Sequence, residues 1–179
     1  MPNGNDDLKA LIRTISDFPR PGVQFRDIST LLLDAAGFAA AVERIASRIE
    51  EKPDLIAAIE ARGFVVGAAL AQRLGVGLLL IRKDGKLPGA TIAEDYLLEY
   101  GADRLTMHID ACAPGARVEL VDDLIATGGT AEAATRLVRR AGAIVLGASF
   151  VIDLPDLGGA ERLREQGFPM RSLIAFEGG

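Results

Sequence analysis

Apolar positions along this chain switch repeatedly between a helical period and short continuous runs. Leu8, Leu11, Ile12 and Ile15 share one helical face, and Phe38, Val42, Ile45 and Ile49 share another. Residues 54–59 form a short apolar run, which predicts a buried strand. A helix is expected over 64–74 and a second buried strand over 77–82. Residues 91–100 mix apolar and acidic side chains and predict an exposed hairpin or lid. Residues 104–110 alternate, as a strand with one wet face does. A third buried strand is expected over 117–123, then a helix over 130–141 with Thr130 as its N-cap. A β-branched run over 143–152 reads as a strand, 157–166 as a short helix and 171–177 as a last strand. Strands alternating with helices predict an α/β fold with a mostly parallel twisted sheet flanked by helices.

Ligands in such sheets bind at the carboxyl ends of the strands. That directs attention to the loops after Ile59, Arg82, Asp123 and Leu154, and to the segment before Leu31, which could fold over that edge as a hood. With 179 residues, no internal repeat and no linker, we expect one domain over 1–179. Within it, 1–33 forms the hood and 84–104 a flexible lid. Composition narrows the function classes. Twenty Lys and Arg against 25 Asp and Glu give a net charge of −5, without the clustered cations of a nucleic-acid footprint. No apolar run approaches a membrane span, and the first residues carry no signal-peptide core, so no membrane partner and a cytoplasmic location are expected. One Cys, Cys112, and one His, His108, exclude a disulfide within the chain and a Cys/His zinc site built by it alone. Both read as structural residues. The 20 glycines exceed the usual share of about 7% and call for turns or close backbone approaches.

The strongest chemical signal follows the third strand. The stretch Val118-Glu119-Leu120-Val121-Asp122-Asp123-Leu124-Ile125-Ala126-Thr127-Gly128-Gly129-Thr130 runs from an apolar strand through two adjacent carboxylates into a small-residue loop that opens a helix. Loop amides from Ala126 to Thr130 can converge on one phosphate at the positive end of that helix. Gly128 and Gly129 let backbone approach the anion, and the Thr127 and Thr130 hydroxyls add donors. Carboxylates at this place can accept from sugar hydroxyls or hold water around a hard cation. Neither a Gly-Lys-Ser/Thr phosphate loop nor a Gly-x-Gly-x-x-Gly fingerprint is present.

This stretch resembles the signature of the type I phosphoribosyltransferases. Four further segments are similar to the adenine phosphoribosyltransferases among them: residues 17–29, Glu60-Ala61-Arg62-Gly63-Phe64, residues 81–89, and Leu98-Glu99-Tyr100-Gly101. The resemblance implies adenine and 5-phosphoribosyl 1-pyrophosphate as substrates, AMP and pyrophosphate as products, and a homodimer. Magnesium would be held by substrate and water, with no direct protein ligand.

It also implies roles. Ala126, Thr127, Gly128, Gly129 and Thr130 would cradle the 5-phosphate, and Asp122 and Asp123 would hold the ribose hydroxyls. Ala61, Arg62 and Gly63 would bind pyrophosphate beside a cis peptide expected between Glu60 and Ala61. The family usually has Ser where this chain has Ala61, so one hydroxyl contact is lost. Arg82, Lys83 and Lys86 would reach the pyrophosphate of the neighbouring subunit. Phe25 would stack on adenine, flanking backbone at Gln24 and Arg26 would read its edge, and Leu154 would cover its other face. Glu99 and Tyr100 would sit over the reacting centre, with Glu94 and Asp95 facing solvent in the open lid. Two alternatives remain at this level: the same transfer to another purine base, or a non-catalytic sensor of phosphoribosyl pyrophosphate.

Overall fold

The protein is described by a computed structural model covering residues 4–98 and 101–177. A first helix, α1 (Asp6–Ala10), buries Leu8 and ends early. The chain then enters an antiparallel pair, β1 (Arg13–Ser16) with β2 (Gln24–Asp27), in register Arg13↔Asp27 and Ile15↔Phe25. Ile15 therefore sits on a strand, not on the helical face expected for it. Four apolar residues at helical spacing fit only two turns, and cross-strand bonds outweigh that weak pattern. Arg13 pairs with the Asp27 carboxylate, and the Arg13 amide donates to the Thr30 hydroxyl. Donors from Ser29 and then Arg13 hold the Asp27 carboxyl at about 2, so it stays ionised and fastens this hairpin at any working pH.

The hairpin connects through α2 (Ser29–Leu33) to α3 (Ala35–Ala46), whose first turn is capped by Asp34 accepting from the Gly37 amide at 2.7 Å. Next come β3 (Leu55–Ile59), α4 (Gly63–Leu74) and β4 (Gly77–Lys83). The chain continues as β5 (Thr91–Leu98) and β6 (Gly101–His108), paired antiparallel throughout. Then follow β7 (Arg117–Ile125), α5 (Gly129–Arg140), β8 (Ile144–Asp153), a 3-10 turn at Pro155–Leu157, α6 (Gly159–Arg164) and β9 (Met170–Ala175).

The main sheet has seven strands in the order β5-β6-β4-β3-β7-β8-β9. β4, β3, β7, β8 and β9 run parallel, and the β5–β6 hairpin adds an antiparallel edge. Two apolar cores cover its faces. One joins Ile56, Val66, Leu70 and Val121 to the N-terminal helices through Leu8, Leu31 and Ile45. The other joins Ile59, Ile81, Leu120 and Phe150 to α5 and α6 through Leu137 and Leu163. The carboxyl ends of β3, β4, β7 and β8 meet along one sheet edge, as the βαβ order requires. Among the described residues, no helix is long and apolar enough to cross a membrane.

Candidate functional site

β7 runs two residues beyond its expected end, so Asp122 and Asp123 are no longer its last residues. Asp122 Oδ1 accepts from the Asp123 amide at 2.8 Å. Burial, and then the neighbouring Asp123 charge, push the Asp122 carboxyl well above the usual carboxylate range. Asp123 is itself buried and forms an ion pair with Arg62, Nε to Oδ2 at 2.8 Å. A buried like-charged pair is costly without a cation or donors to answer it, and Arg62 supplies one positive charge here.

Past Ile125, the loop turns through Gly128, whose φ of +85° is a left-handed conformation that glycine adopts freely. Gly128, and not Thr130, is the residue preceding α5, and no side chain caps this helix. Thr130 lies inside the first turn. With no side-chain cap, the first-turn amides of α5 are available to an anion. Gly159 holds the loop from behind. Its amide donates to the Ala126 carbonyl at 3.0 Å, and a Cβ built on it would lie 2.3 Å from that oxygen.

The loop after β3 carries a cis peptide between Glu60 and Ala61, at the expected bond. Glu60 Oε2 accepts from the Lys83 amide at 2.9 Å and pairs with Arg82 at 3.2 Å. These bonds bind the basic end of β4 to the loop. Gly63 begins α4 directly against β7, where a Cβ would lie 2.6 Å from Asp122 Oδ1. The bare glycine lets the helix start beside the carboxylates.

A cavity of about 300 Å³ gathers most of these residues: Ala61, Arg62, Lys83, Asp122, Asp123 and the loop Ala126–Thr130. Lys86 is exposed, and its carbonyl accepts from Arg82 at 3.1 Å. Glu99 and Tyr100 lie outside the described residues. A neighbouring cavity of about 470 Å³ lies between the β1–β2 connection and the sheet edge, lined by Pro19, Arg20, Gln24, Leu154 and Leu157 and sharing Ala126 with the first. Phe25 stands beside Arg62, whose guanidinium lies 4.9 Å from the ring centroid. Arg62 thus spans from the Phe25 ring to the Asp123 carboxylate. The Arg26 side chain points elsewhere, donating to Thr14 and covering Phe176.

Residues 29–164 match the family model of the phosphoribosyl transferase domain. The adenine phosphoribosyltransferase of Maricaulis maris is 57% identical over 173 residues, covering 96% of this chain and 99% of that one. That of Sphingopyxis alaskensis is 58% identical over 178 residues, covering 99% and 97%. The chain belongs to the adenine phosphoribosyltransferase family. Two solved members of the family superpose closely. The enzyme of Thermoanaerobacter pseudethanolicus gives a TM-score of 0.91 at 48% identity, covering 96% of this chain and 99% of that one. The Saccharomyces cerevisiae enzyme, crystallised with adenine and an imino-altritol bisphosphate, gives 0.89 at 35% identity, covering 94% and 97%.

Within this family frame, three features escape a reading of the sequence. Tyr96 and Phe150 line the main cavity, and Gly159 supports its loop. The Gly158-Gly159 pair was the only signal for the last, and its partner, Ala126, is distant in sequence. The acidic residues of the hairpin also differ from expectation. Glu94 is not a free solvent-facing carboxylate: it pairs with Arg136 at 2.6 Å and Arg140 at 2.8 Å on α5, its side chain only 19% exposed. Asp95 is exposed but pairs with Arg104 at 2.6 Å. The cations of α5 draw this hairpin onto the helix, a long-range match that spacing alone does not reveal.

Proposed function

We propose that this chain transfers the 5-phosphoribosyl group from phosphoribosyl pyrophosphate to adenine, giving AMP and pyrophosphate with inversion at the anomeric carbon. The observation that carries the reading is the shared cavity of the paired carboxylates, the cis-peptide loop and the open helix start of α5. In this proposal Ala126, Thr127, Gly128, Gly129 and Thr130 bind the 5-phosphate through amides and hydroxyls. Asp122 and Asp123 accept from the ribose hydroxyls and offset positive charge on the sugar as pyrophosphate departs. Ala61, Arg62 and Gly63 hold the pyrophosphate, with Arg82, Lys83 and Lys86 adding charge.

Adenine fits the cavity between the hood and Leu154, a mostly apolar slot, with Arg20 and Gln24 in its lining, suited to a flat base. Phe25 stacks on it once Arg62 turns to its anion, and backbone at Gln24 and Arg26 reads its edge. Glu99 and Tyr100 are assigned to the closing lid, within 84–104, and residues 1–33 to the hood. Lid closure excludes water, which competes with adenine as nucleophile.

Magnesium fits the donor set: two adjacent carboxylates offer hard oxygen acceptors to its water shell. When bound with the substrate it neutralises charge on the leaving pyrophosphate. A homodimer is part of the proposal. Leu78 and Leu80 on β4 are 40% and 39% exposed and Val65 on the adjoining α4 is 44% exposed, apolar surface that a second copy would cover. A cytoplasmic location completes it, in keeping with a single, unpaired thiol.

Adenine-dependent release of pyrophosphate tests the activity. One variant tests the assignment of Arg62. Arg62→Ala is expected to weaken binding of phosphoribosyl pyrophosphate roughly tenfold or more, the size of a lost charge-assisted contact, while adenine binding changes little. Titration calorimetry with each ligand checks this, and equal losses for both would contradict the assignment.

A further inference from the structure

We propose that Asp17 is a positioning residue for the purine base, acting through the chain segment that walls the cavity beside Leu154. The proposal rests on the reading of that cavity as the adenine subsite. Residues 17–23 join β1 to β2, and Pro19, Arg20, Gly22 and Val23 of this segment line the cavity, with Gln24 at the start of β2. A connection that only reversed the chain would need about two residues. This one is longer, and its extra length forms a wall of the cavity. The shape of the base cavity therefore follows the shape of the connection, which has no strand ladder to hold it.

Asp17 closes the connection. Its backbone stands at φ +60°, which makes it the one non-glycine residue in the left-handed region among the described residues. Aspartate tolerates that conformation better than most side chains do. The turn lets Asp17 Oδ1 accept from the Gly22 amide at 2.8 Å. Gly22, at φ +87°, has little conformational preference of its own, so the carboxylate supplies a constraint that the glycine lacks. The backbone adds two longer bonds, from the Phe18 amide to the Val23 carbonyl at 3.4 Å and from the Val23 amide to the Arg20 carbonyl at 3.2 Å. The same turn sets the Phe18 ring against Phe25, the residue assigned to stack on adenine, with centroids 5.2 Å apart and planes at 78°. Phe18 is half-exposed, so burial alone does not fix it there. Asp17 thus shapes the cavity wall at Gly22 and braces the stacking ring through Phe18, without lining the cavity itself.

Two substitutions of Asp17 separate its backbone from its carboxylate. Asp17→Gly accepts the left-handed backbone and removes the acceptor. The expected result is a KM for adenine, and a Kd for AMP, raised roughly threefold to tenfold, the range of one net hydrogen bond. The KM for phosphoribosyl pyrophosphate and kcat should each stay within about twofold. Asp17→Asn keeps a side-chain oxygen acceptor and a residue that tolerates the left-handed region, so it should hold the native KM for adenine. Leu154→Phe, which narrows the same cavity from the sheet edge, is the reference and should raise the KM for adenine as well. If Asp17→Gly leaves that KM unchanged while Leu154→Phe raises it, this inference is overturned and the cavity remains the adenine subsite. If both are silent, the cavity is not the adenine subsite, and this inference falls with that assignment. Equal losses for both substrates in Asp17→Gly would mark a general loosening of the fold and overturn the inference. So would an Asp17→Asn variant as impaired as Asp17→Gly, because the hydrogen bond would then not be the cause.

Discussion

Asp123→Asn should reduce kcat by about two to three orders of magnitude, the usual effect of removing one preorganised electrostatic group from an active site. Asparagine keeps the shape of the side chain but removes the charge placed to offset that developing on the ribose. The fold should survive. Asp123 is 5% exposed, and its partner Arg62 keeps a side chain 39% exposed that can turn to water when the pair is lost. Removing the neighbouring charge also relieves Asp122, whose carboxyl should move back toward the ordinary range. Steady-state kinetics with a circular-dichroism melt separate the two effects. A native melt with a large fall in kcat supports the assignment, and unchanged kinetics removes it.

Gly159→Ala should damage the site from outside it. The added methyl would lie 2.3 Å from the Ala126 oxygen and 2.6 Å from the Gly128 nitrogen. Both are backbone atoms of the loop, so no rotamer change relieves the clash. The loop must shift, and overpacking of this kind costs about 1–3 kcal/mol of stability. The KM for phosphoribosyl pyrophosphate should rise at least roughly tenfold, since misplacing a binding group by about an ångström is enough. The neighbouring Gly158→Ala is the control. It meets open space but sits at a φ of +73°, so it should lower stability by about 1–2 kcal/mol and leave that KM near the native value. Urea melts and substrate titrations of both variants check the contrast. An unaltered KM in Gly159→Ala would show that the loop does not depend on this contact.

The parts of the fold with strong local signals were legible in the chain. Continuous apolar runs mark β3, β7 and β8 because these strands are buried on both faces of a parallel sheet, whereas β4 carries its run with Leu78 and Leu80 exposed on one face. The Asp122-Asp123 pair and the small-residue loop were legible for a related reason: their chemistry is written in consecutive residues. The strand at Ile15 is hidden by a two-turn helical pattern, because the Arg13–Asp27 pairing that decides it spans two elements. The same limit applies to Glu94. Its partners, Arg136 and Arg140, lie some forty residues away on α5, so its sequence neighbourhood suggests a solvated acid. Gly159 is not legible in the sequence because it acts through a residue on another segment, Ala126. Resemblance to the family supplied what local physics alone could not, the identity of the base and the leaving group.

In the proposed reaction the hood cavity and the carboxylate cavity act together on adenine and phosphoribosyl pyrophosphate. The most direct measurement follows pyrophosphate release by the purified protein with magnesium and phosphoribosyl pyrophosphate, as adenine, hypoxanthine, guanine or xanthine is added. Rapid release is expected with adenine, one AMP formed for each pyrophosphate, and little release with the oxo-purines. Binding of phosphoribosyl pyrophosphate without adenine-dependent release, or faster release with an oxo-purine, would contradict the proposed reaction.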